Sequence, residues 1–339
     1  MNNKNSLQEK AQQNIAGIIR DVFEHNDTQN ALVVYDTNST LSNLLYLAYK
    51  EALPTATFID FNATEAQEVL EVLNSLNESD FVALVQSTNF RLDAFRIRVE
   101  LFKRSIKVIE HPHLTRMSDE EVECYVDSLS YDKKYFRETG RALKAKIDAS
   151  SSGVVESDGE YLYYDGGFES AKLNIGDYSQ MTNTGGQFPI GEVFTEAKEL
   201  ESLHGRVKIF IFSGTSYKLH IPKTPATLII EKGQVVGTEN TTPEFDEILD
   251  VIREGEGCIW VRELGFGLNR AFTKTRTVSD TGTYERMCGV HLSLGKKHGM
   301  YGKPGFKRGD GRFHVDVFVD TTTVKFDGEL LFKDEKWLV

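Results

Sequence analysis

Cysteine is scarce in this chain: Cys124, Cys258 and Cys288 form an odd set without CxxC spacing. That excludes a disulfide framework and a thiolate zinc site, and it fits a reducing compartment. Proline numbers only seven, with no Pro-rich tract and no long single-sign charge run. With 40% hydrophobic and 27% charged residues, the composition is that of a folding globular protein. No run approaches the ~18 apolar residues that a membrane helix needs, and the start MNNKNSLQEK lacks the apolar core of a signal peptide. A cytoplasmic location away from membranes is expected. Positive charge is also short, giving a net charge of -12 and a pI near 5.3, which opposes nucleic-acid binding over a broad face. No GxGxxG follows a strand-like run, so a dinucleotide site is not expected.

What is present divides into two patterns. At 339 residues the chain is long enough for two domains. Leu7, Ile15, Ile18, Ile19, Val22 and Phe23 give a helical stripe that predicts a first helix over Ser6 to Glu24. Apolar runs of strand length follow: ALVVYD from Ala31, ATFIDF from Ala56, DFVALVQ from Asp80 and IKVIEH from Ile106. Helix-length segments separate them, at Leu41 to Glu51, Ala63 to Leu76 and Leu92 to Lys103. Asn62 with Glu65, and Ser118 with Glu121, have capping-box spacing. Strand, helix, strand in series implies a parallel sheet with right-handed crossovers, a Rossmann-like α/β domain over residues 1–150. Asp36 and the QSTN segment after Val85 fall at strand C-terminal ends, where open α/β sheets bind ligands, although loop and N-cap chemistry explains the same residues. A long polar helix from Ser118 to about Ile147 closes this half. Beyond Gly153, short alternating strands broken by glycine predict a β-rich α+β domain over residues 151–339, with one clear helix from Pro243 to Arg253.

Four segments of the second half carry the chemistry: GEVF with Glu192, RELGFGLN with Glu263, GVHLSLG with His291, and FHVDVF with His314 and Asp316. Three carboxylates and two imidazoles suit a pair of hard-to-borderline divalent metal ions, and such a pair points to hydrolysis. Residues two apart on a strand share a face, so His314 and Asp316 point the same way while Phe313, Val315, Val317 and Val319 form the apolar side. A half-buried strand with its polar side in water gives the same pattern. Glu192 ends a Gly- and Pro-punctuated turn, as either an exposed strand start or a ligand on rigid backbone. Glu263 precedes Gly265 and Gly267, which allow backbone geometries closed to other residues. His291 alone reads equally as a hydrogen-bonded core histidine. Between the histidine strands, KKHGMYGKPGFKRGDGR from Lys296 to Arg312 is a basic, Gly-rich loop, either a solvated connection or a mobile cationic rim that closes over substrate.

Taken in order from about Gly185 to Leu331, these segments resemble the M29 family of metallo-aminopeptidases. The resemblance implies a homodimer that removes N-terminal residues from a peptide, or acts on a small-molecule substrate. It further implies two divalent ions (zinc, cobalt or manganese) held by Glu192, Glu263, His291, His314 and Asp316, with Glu263 and Asp316 bridging. The family usually has a tyrosine seven residues after the first histidine. This chain has His298 there, with Tyr301 three residues later. Glu192, His298 and Tyr301, in that order, are therefore the candidates for proton transfer to the leaving amine. Two alternatives use the same scaffold. His291, His314 and Asp316 alone would suit one Fe(II) in a ring-cleaving dioxygenase, and an inactive homologue would only bind peptide.

Overall fold

The structure, a computed structural model, describes residues 2–179, 181–214 and 218–339, with side chains from Ser6 onward. The chain forms two compact units, neither continuous in sequence. One comprises Met1–Phe136, Gly176–Ile190 and Lys274–Thr283, the other Arg137–Ile175, Gly191–Thr273 and Tyr284–Val339. This division differs from a single break near residue 150, because two short later segments belong with the N-terminal unit.

In chain order the first unit contributes α1 (Asn2–Asp21), β1 (Ala31–Tyr35), α2 (Thr40–Ala52), β2 (Thr57–Asp60), α3 (Ala66–Ser75), β3 (Phe81–Val85), α4 (Ile97–Lys103), β4 (Lys107–His111) and α5 (Val122–Ser128). Helix α6 (Lys133–Ala149) leads into β5 (Gly153–Ser157), β6 (Glu160–Tyr164) and β7 (Lys172–Asn174), and β8 (Gly185–Gln187) belongs to the first unit again. The expected parallel sheet is present, in the order β2-β1-β3-β4-β8. Its central strand β3 is buried at every residue, as a strand covered on both faces must be. Helix α2 starts with a capping box in which Ser39 and Ser42 each accept the other's backbone N–H at 3.0 Å. The box expected at Ser118 and Glu121 forms, whereas α3 begins at Ala66 without a side-chain cap and Asn62 lies in the turn before it. The single long helix expected from Ser118 is broken. Ser130 N–H closes a turn onto Asp127 O, and Asp132 Oδ1 accepts Tyr135 N–H at 3.0 Å, which starts α6 afresh. Asp36 is consumed locally, accepting the N–H groups of Asn38 and Ser87 at 3.0 and 2.8 Å, so loop chemistry accounts for it.

The second unit continues with β9 (Glu192–Glu196), β10 (Leu203–Ser213), β11 (Leu219–His220), β12 (Ala226–Glu231), β13 (Gln234–Glu239), α7 (Pro243–Glu256) and β14 (Val261–Gly267), and, after α8 (Thr281–Tyr284), which lies in the first unit up to Thr283, with β15 (Gly289–Leu294), β16 (Val315–Val319), β17 (Thr323–Phe326), β18 (Glu329–Lys333) and β19 (Lys336–Trp337). Its strands form one antiparallel sheet whose main path runs β19-β18-β17-β5-β6-β10-β16-β15-β14-β9-β7, with β11 to β13 attached at β10. The expected β-rich unit is therefore present. Helix α7 begins with Thr242 as N-cap and Pro243 in its first turn and ends at Gly257 in the left-handed region, the start and stop chemistry that its sequence carries.

Candidate metal centre

Four neighbouring antiparallel strands, β9, β14, β15 and β16, place the polar residues on one face of the sheet. Gly267 pairs with Glu192, Gly265 with both Phe194 and His291, and Ser293 with Asp316. Paired residues share a face, so Glu192, Glu263, His291 and Asp316 lie on the same side. The other side carries Val193, Leu264, Phe266, Val290, Leu292 and Val317, all fully buried. At roughly 1.5–3 kcal/mol per buried apolar side chain, that packing fixes the register, since a slip of one residue would turn the polar set into the core.

The donors converge. His291 Nε2 lies 3.2 Å from Glu192 Oε1 and 3.3 Å from Glu263 Oε1. His314 Nε2 lies 3.2 Å from Asp316 Oδ1. Two groups have ligand atoms within 4.8 Å of one another, Glu192–Glu263–His291 and Glu263–His314–Asp316, and they share Glu263. A third group joins Glu285 to His291 and Asp316. All five ligands expected from the sequence are thus brought together.

Two glycines make the convergence possible. An ideal Cβ on Gly265 would sit 2.0 Å from His291 Cε1, so the imidazole lies flat where a side chain would be. On Gly267 a Cβ would sit 1.7 Å from Met287 O, and that space admits the turn carrying Glu285 and Arg286, which Asn269 N–H anchors through Arg286 O at 2.9 Å. Sequence reasoning missed both Glu285 and Arg286; their signal, YERM just before the His291 strand, has no periodicity of its own. Arg286 is buried, its guanidinium paired with Glu192 and, at 2.7 Å, with Glu285.

The three histidines differ in the proton they carry. His314 Nδ1–H donates to Lys297 O at 3.0 Å, which turns Nε2 toward Asp316, the orientation of a metal-ligating imidazole. In His298 the reverse holds. Its Nδ1 accepts Met300 N–H at 3.1 Å, so the neutral ring carries its proton on Nε2. That N–H lies 3.1 Å from Glu263 Oε2 but off-line, and it has no hydrogen-bond partner. His291 Nε2 faces the carboxylates and its Nδ1 is unpartnered. Tyr301 is only 8% exposed and its hydroxyl donates to Ser170 O at 2.8 Å, away from the carboxylates.

Burial opposes charge throughout the cluster, and the neighbours decide the outcome. Burial would raise the Glu263 carboxyl, but His291, His298 and His314 outweigh it and hold it well below the usual carboxylate range. The same competition lowers Asp316 beside His314. Burial would depress both imidazoles, yet His291 is raised well above its ordinary value by Glu192 and Glu263, and His314 is pushed up to about 10 by Asp316. Glu285 rises to about 8 through burial and the charges of Glu192 and Asp316, against the pull of Arg286. Carboxylates that recruit protons onto the buried His291 and the more exposed His314 form a pocket that favours positive charge. Asp316 Oδ1, buried and without a hydrogen bond, is an open donor there. The donor set, two carboxylates and one imidazole in each group, fits hard-to-borderline divalent ions.

The basic loop is held at its base. The Lys303 side chain is buried, its ammonium 2.6 Å from Glu169 and 2.7 Å from Ala197 O. Arg262, on β14, is fully buried, pairs with Glu196 and donates to Lys296 O and Tyr301 O. Glu256 accepts three backbone N–H groups, from Lys296, Arg312 and Phe313. Both ends of the loop and its Lys303 turn are therefore tied to the unit, unlike a loose connection.

No helix among the described residues is long and apolar enough to cross a membrane. No family model and no curated protein sequence matches the chain. Among solved structures, wild-type AmpT from Thermus thermophilus matches with a TM-score of 0.58 and 14% identity, covering 99% of this chain and 100% of that one. At this identity the likeness is one of fold, and it runs through both units of the chain.

Proposed function

We propose that the chain is a metal-dependent, aminopeptidase-like hydrolase that removes N-terminal residues from peptides. The observation that carries this reading is the pair of donor groups sharing Glu263, an arrangement suited to two divalent ions with a common carboxylate. The shared fold with AmpT, a thermophilic M29 aminopeptidase, supports it, as does the ordered motif set in the sequence. In place of a second bridge at Asp316, Glu192 and His291 would complete one ion, and His314 and Asp316 the other. Bound divalent ions supply a water of lowered pKa and polarise a carbonyl.

The protein's own part is to place those ions and to handle a proton. His298 is the best-placed donor to a leaving amine, because its Nε2–H is buried, beside Glu263, and committed to no other group. Glu192 is engaged by Arg286 and His291, and the Tyr301 hydroxyl is engaged by Ser170. Each donor group contains two carboxylates, which favours this reading over one Fe(II) held by His291, His314 and Asp316.

The test is elemental analysis of protein purified without added metal, followed by assays on a panel of aminoacyl p-nitroanilides under air and under nitrogen. Zinc, cobalt or manganese with equal hydrolysis in both atmospheres, lost together with the metal in Glu263→Ala, is the expected result. One iron with oxygen uptake, or no metal and no turnover, overturns it.

A further inference from the structure

We propose that Arg286 is a built-in cation that makes the two donor groups unequal. The Glu263–His314–Asp316 group takes the first divalent ion, and the Glu192–Glu263–His291 group takes a second one more weakly, in competition with the guanidinium. The inference rests on the metal-centre reading above.

Three observations carry it. Arg286 is 6% exposed, and its guanidinium contacts Glu192 directly while also holding Glu285 at 2.7 Å. Guanidinium stays charged across the accessible pH range, so Glu192 enters any equilibrium with one oxygen and much of its negative charge already committed. The other group has no such occupant. Asp316 Oδ1 faces His314 Nε2 at 3.2 Å, and His314 is oriented by Lys297 O, so both donors face the position with no guanidinium on either. An ion there gains a carboxylate oxygen and an imidazole without displacing a guanidinium. A second ion must share Glu192 with Arg286, or push a buried cation aside in a setting where like charges repel strongly. Glu285 gives the displaced guanidinium an alternative partner, so the second position is weakened and not closed.

The test is a titration of metal-stripped protein with Co2+, followed by calorimetry and by the visible absorption of the bound ion, with ions counted at fixed free Co2+. Wild-type protein is expected to bind in two steps whose affinities differ by at least tenfold. Arg286→Met, which keeps length and removes charge, should tighten the second step by tenfold or more and change the first by less than threefold. Arg286→Lys retains a cation and should keep two unequal steps. Arg286→Gln is the second uncharged variant should the methionine protein fail to fold, with the same expectation. Equal steps in the wild type, or a second step unmoved in both uncharged variants, overturns the assignment while leaving the metal centre standing. No Co2+ bound by the wild type overturns the metal-centre reading and this inference together.

Discussion

At the scale of single residues, the centre depends on absent atoms as much as on donors. His291 occupies the volume that a side chain at position 265 would fill, so Gly265→Ala must move either the ring or a strand. Because β14 and β15 are backed by fully buried apolar residues, the ring is the softer of the two. We expect this variant to lose at least tenfold in Co2+ affinity, comparable to the ~10–100-fold that follows when a ligand's orientation is disturbed. Gly17→Ala in α1, where a Cβ meets nothing within 4 Å, is the control and should leave affinity unchanged. Calorimetric titration of both variants checks the claim, and unchanged affinity in Gly265→Ala would show that His291 is not held as described. From sequence Gly265 reads as backbone freedom after Glu263; within β14 its role is steric, and the residue it makes room for, 26 positions later, is set by strand pairing.

At the scale of elements, strands proved more legible than helix ends and loops. The α/β alternation and the short glycine-broken strands are local patterns, and both sheets follow from them. The helix expected from Ser118 to about Ile147 fails because turn and cap hydrogen bonds interrupt the backbone across Leu129–Asp132. The five candidate ligands were legible through ordered motifs, whereas Glu285 and Arg286 sit in a turn whose position is set by Gly267 and Asn269 from another element. The basic loop was read as mobile or merely solvated because its anchors are distant: Glu169, Glu196 and Glu256 lie 40 or more residues before it. The Arg262–Glu196 pair is fully buried. Removing one partner of such a pair costs about 3–5 kcal/mol, while replacing both by apolar groups is often near neutral. Arg262→Met should therefore lower unfolding stability in urea by about that amount, and Arg262→Met combined with Glu196→Met should recover much of the loss. A single variant as stable as the wild type would remove the anchoring role.

At the scale of the whole molecule, a net charge of -12 is balanced locally at the centre by protons on imidazoles. With no ion bound, His314 is raised to about 10 and His291 well above its ordinary value, so both rings are protonated at pH 7. Ligation requires neutral rings, and binding must therefore expel those protons. The sign follows directly. Below the raised values each proton competes with the ion, so apparent affinity falls as pH falls. As pH climbs toward about 10, the value for His314, affinity rises by up to roughly two log units per pH unit, one for each displaced proton. Calorimetry of Co2+ binding at pH 7 in HEPES and in PIPES, which differ in ionisation enthalpy, should report release of about two protons per saturated centre, and His314→Gln should release about one fewer. Binding heats that do not depend on the buffer would mean that the imidazoles give up no protons to the ion, and the raised state of His291 and His314 in the ion-free protein would then be ruled out.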